Sequence, residues 1–94
     1  MTAAQQRALD ELWPRFGVDV TDGLLDLDSL FGRRAPRILE IGFGNGDALL
    51  TMARENPHND YLGIEVHRPG VGRLLQQLAD EGIHNVRVIC VDAV

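Results

Sequence analysis

Where the apolar run Ile38-Leu39-Glu40-Ile41 gives way to Gly42-Phe43-Gly44-Asn45-Gly46 and then to a helical pattern, the chain has few ways to fold. Alternating glycines allow positive φ and close approach of a ligand to bare backbone, and the following helix presents free amides at its positive end. A strand, a glycine turn and a helix in that order read as a nucleotide-cofactor loop. The dinucleotide fingerprint G-x-G-x-x-G would place a glycine at 47, where this chain has Asp47. A nicotinamide cofactor is therefore the weaker reading.

The same alternation continues downstream. Strands are expected over about 37–41, 61–65 and 86–91, separated by helices from Asn45 or Gly46 to Glu55 and from Pro69 to Gly82. Asn56-Pro57 stops the first of these helices, Pro69 suits the first turn of the second, and Gly82 supplies its carboxyl-terminal cap. The first helix should bury Ala48, Leu49, Met52 and Ala53; the second, Val71, Leu74, Leu75, Leu78 and Ala79. A β-α-β-α-β sequence with short loops predicts an α/β fold with a parallel sheet in the order 3-2-1. Upstream, residues 3–13 form a short amphipathic helix that Pro14 and Gly17 should end, and 18–32 is a connector with one helical turn near Leu27 to Phe31. The organisation is thus an amino-terminal helix and connector over 1–35 and the first half of a Rossmann-like domain over 36–94. An isolated half would leave the first strand as an open edge, so the expectation is either pairing with another copy or a remnant of a longer chain.

Each strand carries an acid near its carboxyl end: Glu40, Glu65, which is 23 residues beyond Gly42, and Asp92. Ligands bind at that rim in open α/β sheets, so the three should converge on one crevice. Glu65 is placed to accept ribose hydroxyls. On the residues alone, Glu40 could equally cap the glycine-loop amides or receive Arg37, and Asp92 could simply close a turn.

Glu40-Ile41-Gly42-Phe43-Gly44 resembles the first motif of class I S-adenosylmethionine-dependent methyltransferases. Together with Gly63-Ile64-Glu65-Val66-His67, Pro69-Gly70-Val71-Gly72, Asp92-Ala93-Val94 and the amino-terminal Gln5-Gln6-Arg7-Ala8-Leu9 and Trp13-Pro14, it resembles the bacterial tRNA (guanine-N7-)-methyltransferase family. The G-x-G-x-G element is common to many methyltransferases; the second and third phrases are more specific. The resemblance implies a class I methyltransferase fold and methylation of guanine N7 in tRNA, at position 46 of the variable loop. It also implies a site for S-adenosyl-L-methionine at Glu40, Gly42, Phe43, Gly44, Gly46, Glu65 and Asp92, with Glu40 toward the methionine end and Asp92 on the adenine amino group. The family's substrate-side segment, of Asp-Pro-Trp type, does not occur in these residues, so no catalytic residue is assigned and the chain alone is expected to be inactive. A non-catalytic nucleotide-binding or assembly module is the alternative.

Composition narrows the classes further. Ninety-four residues, 45% of them hydrophobic and 24% charged, allow one globular domain below the usual size of a complete doubly wound fold. The amino terminus lacks the apolar run of a signal peptide, which makes the cytoplasm the expected compartment. Cys90 is expected to be a packed core thiol, and His58 and His84 lack metal-ligand spacing, so no metal site is assigned. His67 and Arg68 could touch cofactor or substrate, although loop exposure is the plainer reading. A net charge of −5 fits poorly with a polyanionic partner. All nine basic residues are arginines, and Arg33, Arg34 and Arg37 form the one local cluster, read as a solvated patch.

Overall fold

A computed structural model describes residues 2–19 and 25–91. Its elements are α1 (Ala3–Phe16), α2 (Leu27–Phe31), β1 (Arg37–Ile41), α3 (Asp47–Glu55), β2 (Asp60–Glu65), α4 (Arg68–Glu81) and β3 (Val86–Cys90). The strands form one parallel sheet in the order β1-β2-β3, as expected for right-handed crossovers. Register pairs Glu40 with Gly63 and Ile41 with Ile64 on one side of β2, and Gly63 with Val88 and Glu65 with Cys90 on the other.

That register divides the sheet into two unlike faces. Tyr61, Gly63, Glu65, Val86 and Val88 point to the face covered by helices and are buried. There Leu49, Val71, Leu74, Leu75 and Leu78 pack with Phe16 into a single core. α1 lies against α4, and the close fit depends on Gly72, where a Cβ would come 3.1 Å from the Gln5 carbonyl oxygen. On the opposite face Leu39 is 54% and Ile41 72% exposed. The two edges differ as well. Val18 N–H donates to the Val88 carbonyl at 2.8 Å, so the segment after α1 covers the outer side of β3. β1 has no such neighbour among the described residues.

Local chemistry explains where the elements start and stop. Thr2 and Gln5 form a reciprocal capping box at the start of α1. The helix runs through Pro14 instead of ending there. The ring removes one amide donor, but Gly17 N–H reaches the Trp13 carbonyl at 2.7 Å and Phe16, 1% exposed, anchors the last turn in the core. In α3 the buried face is Leu49, Leu50 and Ala53; Ala48, expected inside, is exposed. Leu50 takes the inward place instead, while Met52 is half-buried. α4 ends on Gly82 at φ 66°, whose amide closes the last turn.

At the amino ends of the strands, Asp60 is 1% exposed and holds the connector to the sheet. Arg33 donates to its Oδ1 from Nε at 3.0 Å and from Nη2 at 2.6 Å, and also to the Pro57 and Asn59 carbonyls. Arg37 Nε lies 3.4 Å from Oδ2 without hydrogen-bond alignment, while its other nitrogens engage Asp28 and the Arg33 carbonyl. Arg33 and Arg37 are thus structural, contrary to the solvated patch expected; only Arg34 of the three is simply exposed.

Candidate cofactor-binding site

The glycine loop leaves β1 at Gly42, whose N–H donates to the Ile64 carbonyl of β2 at 2.7 Å. Gly42, Gly44 and Gly46 take φ of 73°, 65° and 85°, so all three occupy the left-handed region that a side chain disfavours. Their surroundings separate their roles. A Cβ on Gly42 or Gly44 would meet nothing within 4 Å, which leaves bare backbone facing open space. On Gly46 it would come 2.9 Å from Leu74 Cδ1. Gly46 therefore lets the loop settle on α4 and serves as the N-cap of α3, whereas the first two glycines leave a cradle above the loop.

Phe43 does not face that cradle with its ring. The ring packs on Gly63 of β2, where a Cβ would approach Phe43 Cδ2 to 2.8 Å, and so anchors the loop to the sheet. What Phe43 offers a ligand is its backbone.

Glu65, 7% exposed, is the polar centre of the rim. Its Oε1 accepts from Gly44 N–H at 2.5 Å; Oε2 accepts from Val66 N–H at 2.8 Å and His67 N–H at 2.9 Å. Those amides, His67 first and then Gly44, hold the carboxyl below the ordinary glutamate range against the opposing push of burial. A carboxylate offers about four lone-pair sites, so with three amides bound Oε1 keeps roughly one for a ligand hydroxyl. The side chain expected to hold ribose is thus also the clasp that closes the glycine loop onto β2. Only the Val66 and His67 part of this had a sequence signal: Glu65 directly precedes a turn into a helix, where free amides gather.

Glu40 lies on the same face as Glu65, opposite Gly63 and two positions short of it. Among the described residues its side chain has no hydrogen bond or ion pair, so it neither caps the loop nor receives Arg37. Asp92 lies outside the described residues. His67 and Arg68 are exposed at the start of α4, and Cys90 is half-buried at the end of β3 rather than fully packed. No cluster of metal-ligating side chains occurs among the described residues.

A cleft of about 460 Å³ lies at the opposite end of the strands, walled by Arg33, Asp60 and Asn85 among others. Several of its polar groups are engaged by the fold: Asn85 Nδ2 alone donates to the Ala53, Asn56 and Asn59 carbonyls, and Asp60 Oδ1 accepts from Arg33. The carboxyl-terminal rim, with free acceptor capacity and bare backbone, is the better candidate for ligand chemistry.

Comparison with known proteins identifies the family. A family model described as "Putative methyltransferase" matches residues 34–94. The chain is 60% identical over 95 residues to a tRNA (guanine-N(7)-)-methyltransferase of Halorhodospira halophila (strain DSM 244 / SL1), covering 100% of this chain and 41% of the relative. A protein of the same name from Xanthomonas campestris pv. campestris (strain 8004) is 62% identical over 93 residues, 99% of this chain and 36% of its own length. The chain thus spans about two fifths of the curated relatives it matches. Among solved structures, a 30S ribosomal A1408 methyltransferase from an uncultured bacterium (UncKam) superposes with a TM-score of 0.61 at 21% identity, over 72% of this chain and 35% of that one. At that identity the likeness concerns the fold alone.

Proposed function

Since the chain belongs to the methyltransferase family matched over residues 34–94, we propose that it supplies the S-adenosylmethionine-binding half of an enzyme that methylates guanine N7 in tRNA. The observation that carries this reading is the rim itself: open bare backbone at Gly42 and Gly44 beside a buried, ionised Glu65 with acceptor capacity to spare. The names of the similar proteins support the choice of tRNA and of N7.

The residues fit the cofactor's parts. Glu65 Oε1 is the acceptor for a ribose hydroxyl, a hydrogen bond to a charged group contributing about 1.5–3 kcal/mol. The unpaired Glu40 carboxylate suits the ammonium of the methionine end, and the glycine-loop backbone allows the ligand to lie close. Asp92 is assigned to the adenine amino group. When bound, S-adenosylmethionine supplies a methyl carbon made electrophilic by its sulfonium. Guanine N7 already presents a lone pair in the major groove, so the chain needs no general base for the acceptor. Its task is orientation, holding the donor in line with N7. The substrate-side contacts and the basic surface that tRNA requires are assigned to parts of the enzyme beyond these residues, in keeping with a net charge of −5 here. A tRNA substrate makes the cytoplasm the compartment assigned in this reading; separately, no helix among the described residues is long and apolar enough to cross a membrane.

Calorimetric titration with S-adenosylhomocysteine is expected to give one-to-one binding, and titration with NADH none. A longer chain containing these residues should form N7-methylguanosine on tRNA. Binding of NADH without S-adenosylhomocysteine would overturn the reading.

A further inference from the structure

We propose that Gly70 is a positioning residue for the cofactor loop, an inference that rests on the S-adenosylmethionine reading above. Gly70 lies in the first turn of α4, away from any position requiring a left-handed backbone, so conformation does not explain the glycine. Proximity does. A Cβ at Gly70 would lie 2.1 Å from the Gly44 carbonyl oxygen, 2.9 Å from its carbon and 3.3 Å from Asn45 Cα. These are backbone atoms and cannot swing aside.

The Gly44 residue is therefore held from two directions. Its N–H is drawn to Glu65 Oε1 at 2.5 Å, while its carbonyl rests against the bare Cα of Gly70. One turn further along α4, the Leu74 side chain lies against Gly46, where a Cβ would come 2.9 Å from Leu74 Cδ1. α4 thus forms a rail on which the glycine loop lies, and the rail sets how far Gly44 sits from the Glu65 carboxylate. A methyl group at 70 would lift the loop off the rail, lengthen the Gly44–Glu65 hydrogen bond and change the cradle above Gly42 and Gly44. Gly72, two residues on, serves a different contact: it faces Gln5 of α1 and touches nothing in the loop.

The pair makes a controlled experiment on the ¹⁵N-labelled chain. Gly70→Ala is expected to shift the Gly44 amide resonance, speed its hydrogen exchange and weaken S-adenosylhomocysteine binding by about tenfold or more, the size of one charge-assisted hydrogen bond. Gly72→Ala should lower the melting temperature while leaving the Gly44 amide and the affinity unchanged. If Gly70→Ala does not fold, Pro69→Gly decides: it adds no heavy atom, loosens the same turn, and should speed Gly44 exchange. An unchanged Gly44 amide in the folded Gly70→Ala chain, or in Pro69→Gly where that substitution decides, would overturn the proposal. The amide readout needs no ligand, so failure of the unsubstituted chain to bind S-adenosylhomocysteine would count against the cofactor reading and leave the positioning test intact.

Discussion

Glu65 shows how one carboxylate can serve both fold and site. Three backbone amides converge on it, and hydrogen bonds to the ionised form depress its pKa. A folded pKa below the unfolded value of 4.5 means that the contribution to stability is complete above that value and disappears as pH falls through the folded pKa. Glu65→Gln removes the charge and places an amide donor against backbone donors, so it should cost about 2 kcal/mol at neutral pH. In thermal or urea unfolding the difference between the two chains should hold steady above about pH 5.5 and shrink below about pH 4.5. A gap that widens on acidification would contradict the assignment. The acid's place at the end of a strand was legible from Gly63-Ile64-Glu65. Its clasp on Gly44, 21 residues earlier in the chain, was not, because which amides a carboxylate meets depends on how the glycine loop folds back over β2.

At the level of elements, periodicity and turn residues located α1, α3, α4 and the three strands among the described residues, α2 reading only as a helical turn, and the discrepancies have identifiable physical causes. Pro14 signals a stop in the sequence, yet tertiary burial of Phe16 carries α1 through it. Arg33 and Arg37 looked like surface charge because sequence gives no sign of a buried acid 27 residues from Arg33. That acid, Asp60, ties the connector between α2 and β1 to the start of β2, and its burial makes the tie testable. Arg33→Ala leaves a buried carboxylate with only the poorly aligned Arg37, and should cost about 3 kcal/mol, at the lower end for breaking a buried pair because Arg33 is itself partly exposed. In an Asp60→Asn background the same substitution should cost clearly less, since no charge is then stranded. Equal losses in both backgrounds by urea unfolding would mean that Arg33 works only through the Pro57 and Asn59 carbonyls.

The whole molecule is asymmetric in a way that the strand pattern foreshadowed. Parallel sheets are ordinarily covered on both faces, and the apolar residues of β1 read as a strand built for that environment. Here α1, α3 and α4 all lie on one side, leaving Leu39 and Ile41 in solvent beside an edge with no strand neighbour among the described residues. A flat apolar edge of this kind pairs readily with another chain. The 94-residue chain should therefore self-associate as its concentration rises. Ile41→Lys places a charge on the exposed face at the carboxyl end of the edge strand without disturbing the core, because Ile41 is 72% exposed; its effect on stability should stay within about 0.5 kcal/mol. Sedimentation velocity over a tenfold range of concentration should show a rising weight-average coefficient for the unsubstituted chain and a constant monomer value for Ile41→Lys. The glycine loop and Glu65 lie on the other face, so S-adenosylhomocysteine affinity should be the same for both chains. A loss of affinity in Ile41→Lys would show that the open face and the cofactor rim are coupled through β1.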